Sequence, residues 1–219
     1  MIDLHTHTLF SDGELIPSEL VRRFEALGYA AVAITDHVDC STLDFVVPRI
    51  AQAAKELMDS QPITVIAGVE LTHVPPRSIG SLCRKARELG ARLIVVHGET
   101  VVEPVPPGTN KAAIEAGVDL LAHPGLITAE EVRMAAEKGI FLEISGRKGH
   151  SLSNGHVAKL AKEFGARLVI DSDTHSPGDI MGESLARKVA MGAGLPSSEF
   201  DELLANARLL IERTGYTLG

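Results

Sequence analysis

Seven short apolar runs punctuate this 219-residue chain: IDLHTH (2–7), AVAITDH (31–37), ITVIAGVE (63–70), RLIVVH (92–97), DLLAHP (119–124), IFLEIS (140–145) and RLVIDSDTH (167–175). Most are continuously hydrophobic and rich in β-branched residues or Leu. That is the pattern of strands buried on both faces of a parallel sheet. Helical patterns separate them. SELVRRFEALG (18–28) begins after Pro17 and stops at Gly28, the usual Pro-in, Gly-out punctuation. PRIAQAAKELMDS (48–60), SLCRKARELG (81–90), TAEEVRMAAEKG (128–139) and HVAKLAKEFG (156–165) follow. The fourth of these five opens on Thr128-x-x-Glu131, a capping box. Two further helices are expected over roughly 179–193 and 198–214, separated by Gly194-Leu195-Pro196.

Seven strands alternating with helices, with no break in composition, predict one α/β domain over 1–219 built from right-handed β-α-β units. At 45% hydrophobic residues, the chain can fill one such core. A closed or nearly closed (β/α)7 barrel of TIM-barrel type is the natural architecture, with the C-terminal helices over 179–214 packed on it. An open doubly wound sheet is the alternative, but neither G-x-G-x-x-G nor a P-loop is present to give it a nucleotide.

In a parallel barrel the C-terminal ends of the strands meet at one rim, where chemistry is done. Six of the seven runs end in His, Asp or Glu: Asp3, His5 and His7; Asp36 and His37; Glu70; His97; His123; Asp173 and His175. The sixth carries Glu143 earlier in its run. His5 and His7 are two apart and share a strand face, which Asp3 would share too. Asp173 and His175 repeat that spacing on the last strand, the neighbour of the first if the sheet closes. Carboxylates and imidazoles buried at this density are costly unless paired or ligated. Mixed N and O donors converging at one rim suit divalent metals. Asp3, Asp36 and Glu143 fit equally well behind such ligands, orienting histidines or capping turns. His73, His150 and His156 hold no strand-end position, and His156 reads as a surface histidine opening a helix.

The formal net charge of −8 argues against binding polymeric nucleic acid through its phosphates. It does not argue against a small anionic substrate, because bound cations invert the local field. Cys40 and Cys83 are too few for a disulfide framework and form no C-x-x-C pair, so a reduced, cytoplasmic setting is expected. No signal-peptide pattern and no membrane-length apolar run is seen.

The polar residues fall in an order that resembles the PHP family, named for polymerase and histidinol phosphatase domains. Its motifs are D-x-H-x-H (Asp3 to His7), S-D-G (Ser11 to Gly13), T-D-H (Thr35 to His37), an isolated Glu70, H-G (His97), H-P (His123) and S-D-x-H (Ser172 to His175). The match runs from residue 3 to 175; one short motif is weak evidence, but seven in order are specific. The resemblance implies a distorted seven-stranded barrel holding two to three divalent ions (Zn, Mn or Fe). By that correspondence His5, His7, Glu70 and Asp173 would bind the first. Glu70 would bridge to a second with His97 and His123, and Asp12, His37 and His175 would hold a third. The position matched by Asp12 is His in some members.

The resemblance further implies phosphoester hydrolysis. Ions sharing Glu70 would lower the pKa of a water that attacks phosphorus, and the third would neutralise phosphate oxygens. Glu70 and His175 are therefore catalytic candidates as well as ligands. ISGRKGHSLSNGH (144–156) adds Arg147, a candidate bidentate phosphate clamp, and His150, a candidate proton donor to the leaving oxygen. Lys148 reads as solvated, Arg77 as a second anion contact or a surface charge, and Glu143 as a partner of Arg147 or of a ligand. Loops 73–80, 99–110 and 146–154 would select the substrate. A small phosphomonoester is expected, such as histidinol phosphate or a nucleotide or sugar phosphate, with no membrane partner.

Two other classes fit less well. Amidohydrolase-type C–N hydrolases share the H-x-H motif and a binuclear site, but commonly bridge their metals with a carboxylated Lys, and no strand-end Lys occurs here. A non-catalytic nucleic-acid-binding protein on the same barrel would be expected to lose ligands and gain basic charge.

Overall fold

The computed structural model describes residues 1–218. In chain order the elements are β1 (Ile2–Asp3), α1 (Pro17–Ala26), β2 (Ala31–Ile34), β3 (His37–Val38), α2 (Leu43–Ser60) and β4 (Thr64–Leu71). They continue with α3 (Pro76–Glu88), β5 (Leu93–His97), α4 (Thr109–Ala116), β6 (Leu120–Ala122), α5 (Ala129–Lys138) and β7 (Phe141–Ser145). The last are α6 (Asn154–Phe164), β8 (Arg167–Asp171), α7 (Glu183–Gly192) and α8 (Phe200–Arg213). Seven strands pair in parallel in the order β1-β2-β4-β5-β6-β7-β8, and the two-residue β3 extends β2's path along β4. The expected barrel is present and nearly closed.

Closure comes from side chains as much as from the ladder. Leu4 N–H donates to Asp171 Oδ1 at 2.6 Å and Ser172 N–H to Asp3 Oδ2 at 3.1 Å, across the seam between β1 and β8. One residue pair, Thr6 and Thr174, completes a parallel bridge, and His7 N–H donates to Thr174 O at 2.8 Å.

Strand alternation builds two apolar layers. Ile2, Ala33, Ile66, Leu93, Val95, Leu120, Phe141 and Val169 form one buried cluster inside the barrel, joined by Ala207, Leu210 and Ile211 of α8. The intervening residues, Val32, Val65, Val69, Ile94, Leu121, Leu142 and Ile170, pack outward against the helices. The same period of two carries Glu70, His97 and Glu143 onto the inward faces above Ile66, Val95 and Phe141.

Several boundaries differ from expectation. Helix α2 starts at Leu43, five residues ahead of Pro48, because Leu43, Val46, Val47 and Ile50 form one buried face that runs past the proline. Helix α4, bracketed by Gly108 and Gly117, was not anticipated: Thr109, Asn110, Ala113 and Ile114 bury its short inner face. The first ladder ends at Asp3, so His5 and His7 lie beyond regular strand. The last strand ends at Asp171, and Asp173 has φ +54°, so Asp173 and His175 do not share a strand face. The Thr128 capping box forms in full. No helix among the described residues is long and apolar enough to cross a membrane.

Candidate metal centre

The inward-facing strand ends bring the predicted donors to one rim. His5 Nε2 lies 3.4 Å from Glu70 Oε1 and 3.8 Å from Asp173 Oδ1, while His7 Nε2 lies 3.3 Å from Asp173 Oδ1. His123 Nε2 is 3.7 Å from both Glu70 Oε1 and Asp173 Oδ2. On the outer side, Asp12 Oδ1 lies 3.4 Å from His37 Nε2 and 3.2 Å from His175 Nε2. Donor atoms within 4.8 Å of one another fall into overlapping groups: His5, His7 and Glu70; His5, His123 and Asp173; His7, Asp12, His37 and His175; His97, His123 and His150; and His73, His97 and Glu103. All nine metal-ligand candidates are in these groups. These groups cut across the expected sites: His97 and His123 assemble with His150, Asp173 groups with His5 and His123, His7 joins Asp12, His37 and His175, and Glu70 Oε2 sits 2.6 Å from His37 Nδ1.

Several donors at the rim are held from behind by a hydrogen bond. Glu143 accepts from His5 Nδ1 at 2.7 Å and from the His123 backbone N–H at 2.8 Å. His97 Nδ1 donates to Gly98 O at 3.1 Å, and His37 Nδ1 pairs with Thr72 Oγ1 at 2.6 Å. Asp36 accepts from Thr8 N–H, Thr8 Oγ1 and Ser11 Oγ, shaping the loop that carries Asp12. Asp3 turns to the barrel seam and does not join the donors. Glu143 makes no contact with Arg147; it stands behind His5.

Six buried side-chain atoms at the rim have no hydrogen-bond partner: His5 Nε2, His7 Nδ1, His7 Nε2, Glu70 Oε1, His123 Nδ1 and Asp173 Oδ1. Leaving a buried polar atom unsatisfied costs about 1–3 kcal/mol, so the cluster fits cations that would satisfy these atoms together. Backbone strain concentrates here too. The three non-glycine residues with left-handed φ among those described are His73 (+52°), His123 (+26°) and Asp173 (+54°), all at the rim.

Electrostatics favour the same chemistry. Burial acts to raise the Glu70 carboxyl, but the charges of His5 and His37 outweigh it and hold Glu70 well below the usual range. Asp173 is likewise driven well down against burial by His5 and by His7. Burial, helped by His37, pushes His7 to about 3, and burial with His97 pushes His123 well down. Ionised carboxylates beside neutral imidazoles are the protonation states in which such residues bind metals. Three histidines go the other way: burial lowers each, yet Glu143, Asp173 and Glu70 raise His5 well above the ordinary value, Glu70 and Asp12 raise His37, and Glu103 and Glu70 raise His97.

A cleft of roughly 200 Å³ opens onto this cluster between Asp12, Thr72, His73, Glu103, Arg147 and His150. Arg147 Nη1 donates to Asp173 O at 3.2 Å and lies 2.8 Å from His175 Nδ1. Asn154 holds the Arg147 loop down, its Oδ1 accepting from Ser145 N–H and its Nδ2 donating to Ser145 O. Arg77 and Lys148 do not line the cleft. His156 donates to Ile127 O at 2.7 Å, a structural contact away from the rim.

Sequence reasoning missed Glu103 and His73. Glu103 Oε2 lies 3.1 Å from His97 Nε2 and 3.0 Å from His73 Nε2. The signal was present: Glu103 sits in the Pro-rich loop directly after β5, and His73 is two residues past β4. Neither occupies a strand end, so neither stands out against an apolar run.

Known proteins show the same fold. The chain is 50% identical to an uncharacterized protein of Methanocaldococcus jannaschii, over 92% of this chain and 94% of the other. It is 26% identical to the ribonuclease P protein component 3 of Methanosarcina barkeri, over 92% of this chain and 83% of that protein. Among solved structures, archaeal ribonuclease P with mature tRNA contains a chain superposing with a TM-score of 0.75 at 18% identity, covering 99% of this chain and 92% of that one. The histidinol phosphate phosphatase of Lactococcus lactis, complexed with zinc, L-histidinol and phosphate, gives 0.60 at 18% identity, covering 89% and 94%. The family model for the PHP domain matches residues 3–123, more than half of the sequence and most of the donor set, and the chain belongs to the PHP domain family.

Proposed function

We propose that the protein is a metal-dependent phosphoesterase acting on a small phosphomonoester. The observation that carries this reading is the intact donor set: all nine candidate ligands converge on one rim, and six of the cluster's buried atoms make no hydrogen bond. His5, His7, Glu70 and Asp173 would hold one ion, His97 and His123 a second, and Asp12, His37 and His175 a third. Bound there, divalent ions supply positive charge for phosphate oxygens and a lowered pKa for water. The chain's own residues do the rest. Glu70 and Asp173, kept ionised, balance that charge from the barrel interior. Arg147, braced against Asp173 and His175 at the cleft wall, directs guanidinium N–H groups to phosphate. The small cleft volume supports a compact ester, and the net charge of −8 supports a substrate drawn by cations rather than by basic side chains.

A second reading, RNA binding as a protein subunit, draws on the likeness to ribonuclease P component 3. An intact donor set and an acidic surface favour the phosphoesterase. Both are tested on one preparation, by inorganic phosphate release from histidinol phosphate, nucleoside monophosphates and sugar phosphates, and by gel retardation of a structured RNA. Phosphate release without RNA retardation supports the proposal. Submicromolar RNA binding with no release from any ester overturns it.

A further inference from the structure

His150 lies outside the donor set that the family motifs imply, yet it is built as the ligand candidates are. Its ring is 4% exposed. Nδ1 pairs with Thr100 Oγ1 at 2.7 Å, which leaves Nε2 as the nitrogen that faces the cluster. Nε2 lies 3.4 Å from Glu103 Oε1 and 3.8 Å from Asp173 Oδ2. This is the wiring of His97, whose Nδ1 is tied to Gly98 O and whose Nε2 meets the same Glu103 carboxylate. It is also the wiring of His5, tied to Glu143 and facing Glu70. One ring nitrogen fixed by an oxygen and the other aimed at a shared centre is how proteins present imidazole to a metal.

The neighbours complete the case. A ring nitrogen of His150 lies within 4.8 Å of one each from His97 and His123. The His97 ring stands edge-on to both, at 73° to His123 and 87° to His150, while His123 and His150 stack face to face at 4.0 Å between centroids, so a shared ion requires one of that pair to turn out of the stack. Glu70, by contrast, makes its shortest contact with His37. We propose that His150 is a metal ligand in this protein, joining His97 and His123 to make a three-imidazole site at the cleft mouth, with Thr100 holding its ring in place. The inference rests on reading the rim as a metal centre. It assigns His150 a task other than the proton donation its loop position suggests, and a nitrogen-rich site selects borderline-soft ions such as Zn²⁺ over Mg²⁺.

The test is binding of Co²⁺ and Zn²⁺ to metal-depleted full-length protein, read by metal stoichiometry and by the Co²⁺ d–d absorption spectrum. His150→Ala and His150→Gln are expected to lose one ion, or to bind it at least about a hundredfold more weakly, with an altered Co²⁺ spectrum. Thr100→Val keeps the imidazole and removes its anchor, and should weaken the same ion by about 10–100-fold. It also serves if the His150 variants fail to fold. His156→Ala, whose ring contacts Ile127 O instead, should match wild type. Wild-type stoichiometry, affinity and spectrum in the His150 and Thr100 variants would overturn the inference while leaving the phosphoesterase reading standing. A wild-type protein that binds neither ion would overturn both.

Discussion

Glu143 and His5 are joined by a 2.7 Å contact inside the barrel, and the other oxygen of the same carboxylate accepts the backbone N–H of His123. One fully buried side chain thus sets two donors on adjacent sides of the cluster.

Glu143→Gln should therefore weaken metal binding by about 10–100-fold, the usual effect of removing a group that orients a ligand. Secondary structure should be retained. Titration of the metal-depleted variant with Zn²⁺ checks this, and wild-type affinity would mean that Glu143 is only a packing residue.

Metal removal should destabilise the fold. Six buried atoms at the rim make no hydrogen bond within the protein. A ligand present at a hundredfold excess over its Kd contributes about 2.7 kcal/mol, equivalent to about 5–10 °C in Tm for a chain of this size. Thermal unfolding with Zn²⁺ and with a chelator should differ by about that amount.

The H-G motif has a steric reason. A Cβ at Gly98 would sit 2.4 Å from Ala122 O and 2.7 Å from Pro124 Cα, at the place where the His97 and His123 loops touch. Backbone atoms cannot yield cheaply, so Gly98→Ala should cost more than about 2 kcal/mol, read as a lower Tm. The S-D-G motif is built the same way: a Cβ at Gly13 would meet His7 O at 2.4 Å. Both glycines let donor-bearing loops close on each other.

The two thiols should react differently. Cys40 is exposed and Cys83 buried, and burial pushes the Cys83 thiol up to about 11. A raised thiol pKa keeps the neutral, unreactive form below that pH. A disulfide reagent at pH 8 should titrate one thiol in the native protein and two after denaturation. Rapid reaction of both in the native state would contradict the packing of α3.

The strands and rim were legible in the sequence because each core strand is almost wholly apolar, so a His, Asp or Glu at its end stands out. Glu70, His97 and His123 were visible on that ground alone. Loop residues were legible only in part: Arg147 and His150 stood out as candidates in their loop, but Glu103 did not, and what each loop residue faces depends on tertiary contacts. His150 is placed by the Asn154 clamp on Ser145, and Glu103 by the turn of the Pro-rich loop. Asp173 and His175 were visible at the end of their run and in S-D-x-H, but the strand face expected of them does not hold in the structure. A left-handed residue presents them instead.

Glu70 is the hub of the rim, facing His5, His7, His37 and His123 together. The decisive measurement is phosphate release by metal-depleted protein refilled with Mn²⁺ or Zn²⁺, wild type beside Glu70→Ala, across the phosphomonoester panel. Refilled wild type should release phosphate, while the depleted protein and a folded Glu70→Ala at any metal concentration should release none. Wild-type rates in Glu70→Ala, or release that ignores metal, would contradict the proposed metal-dependent hydrolysis.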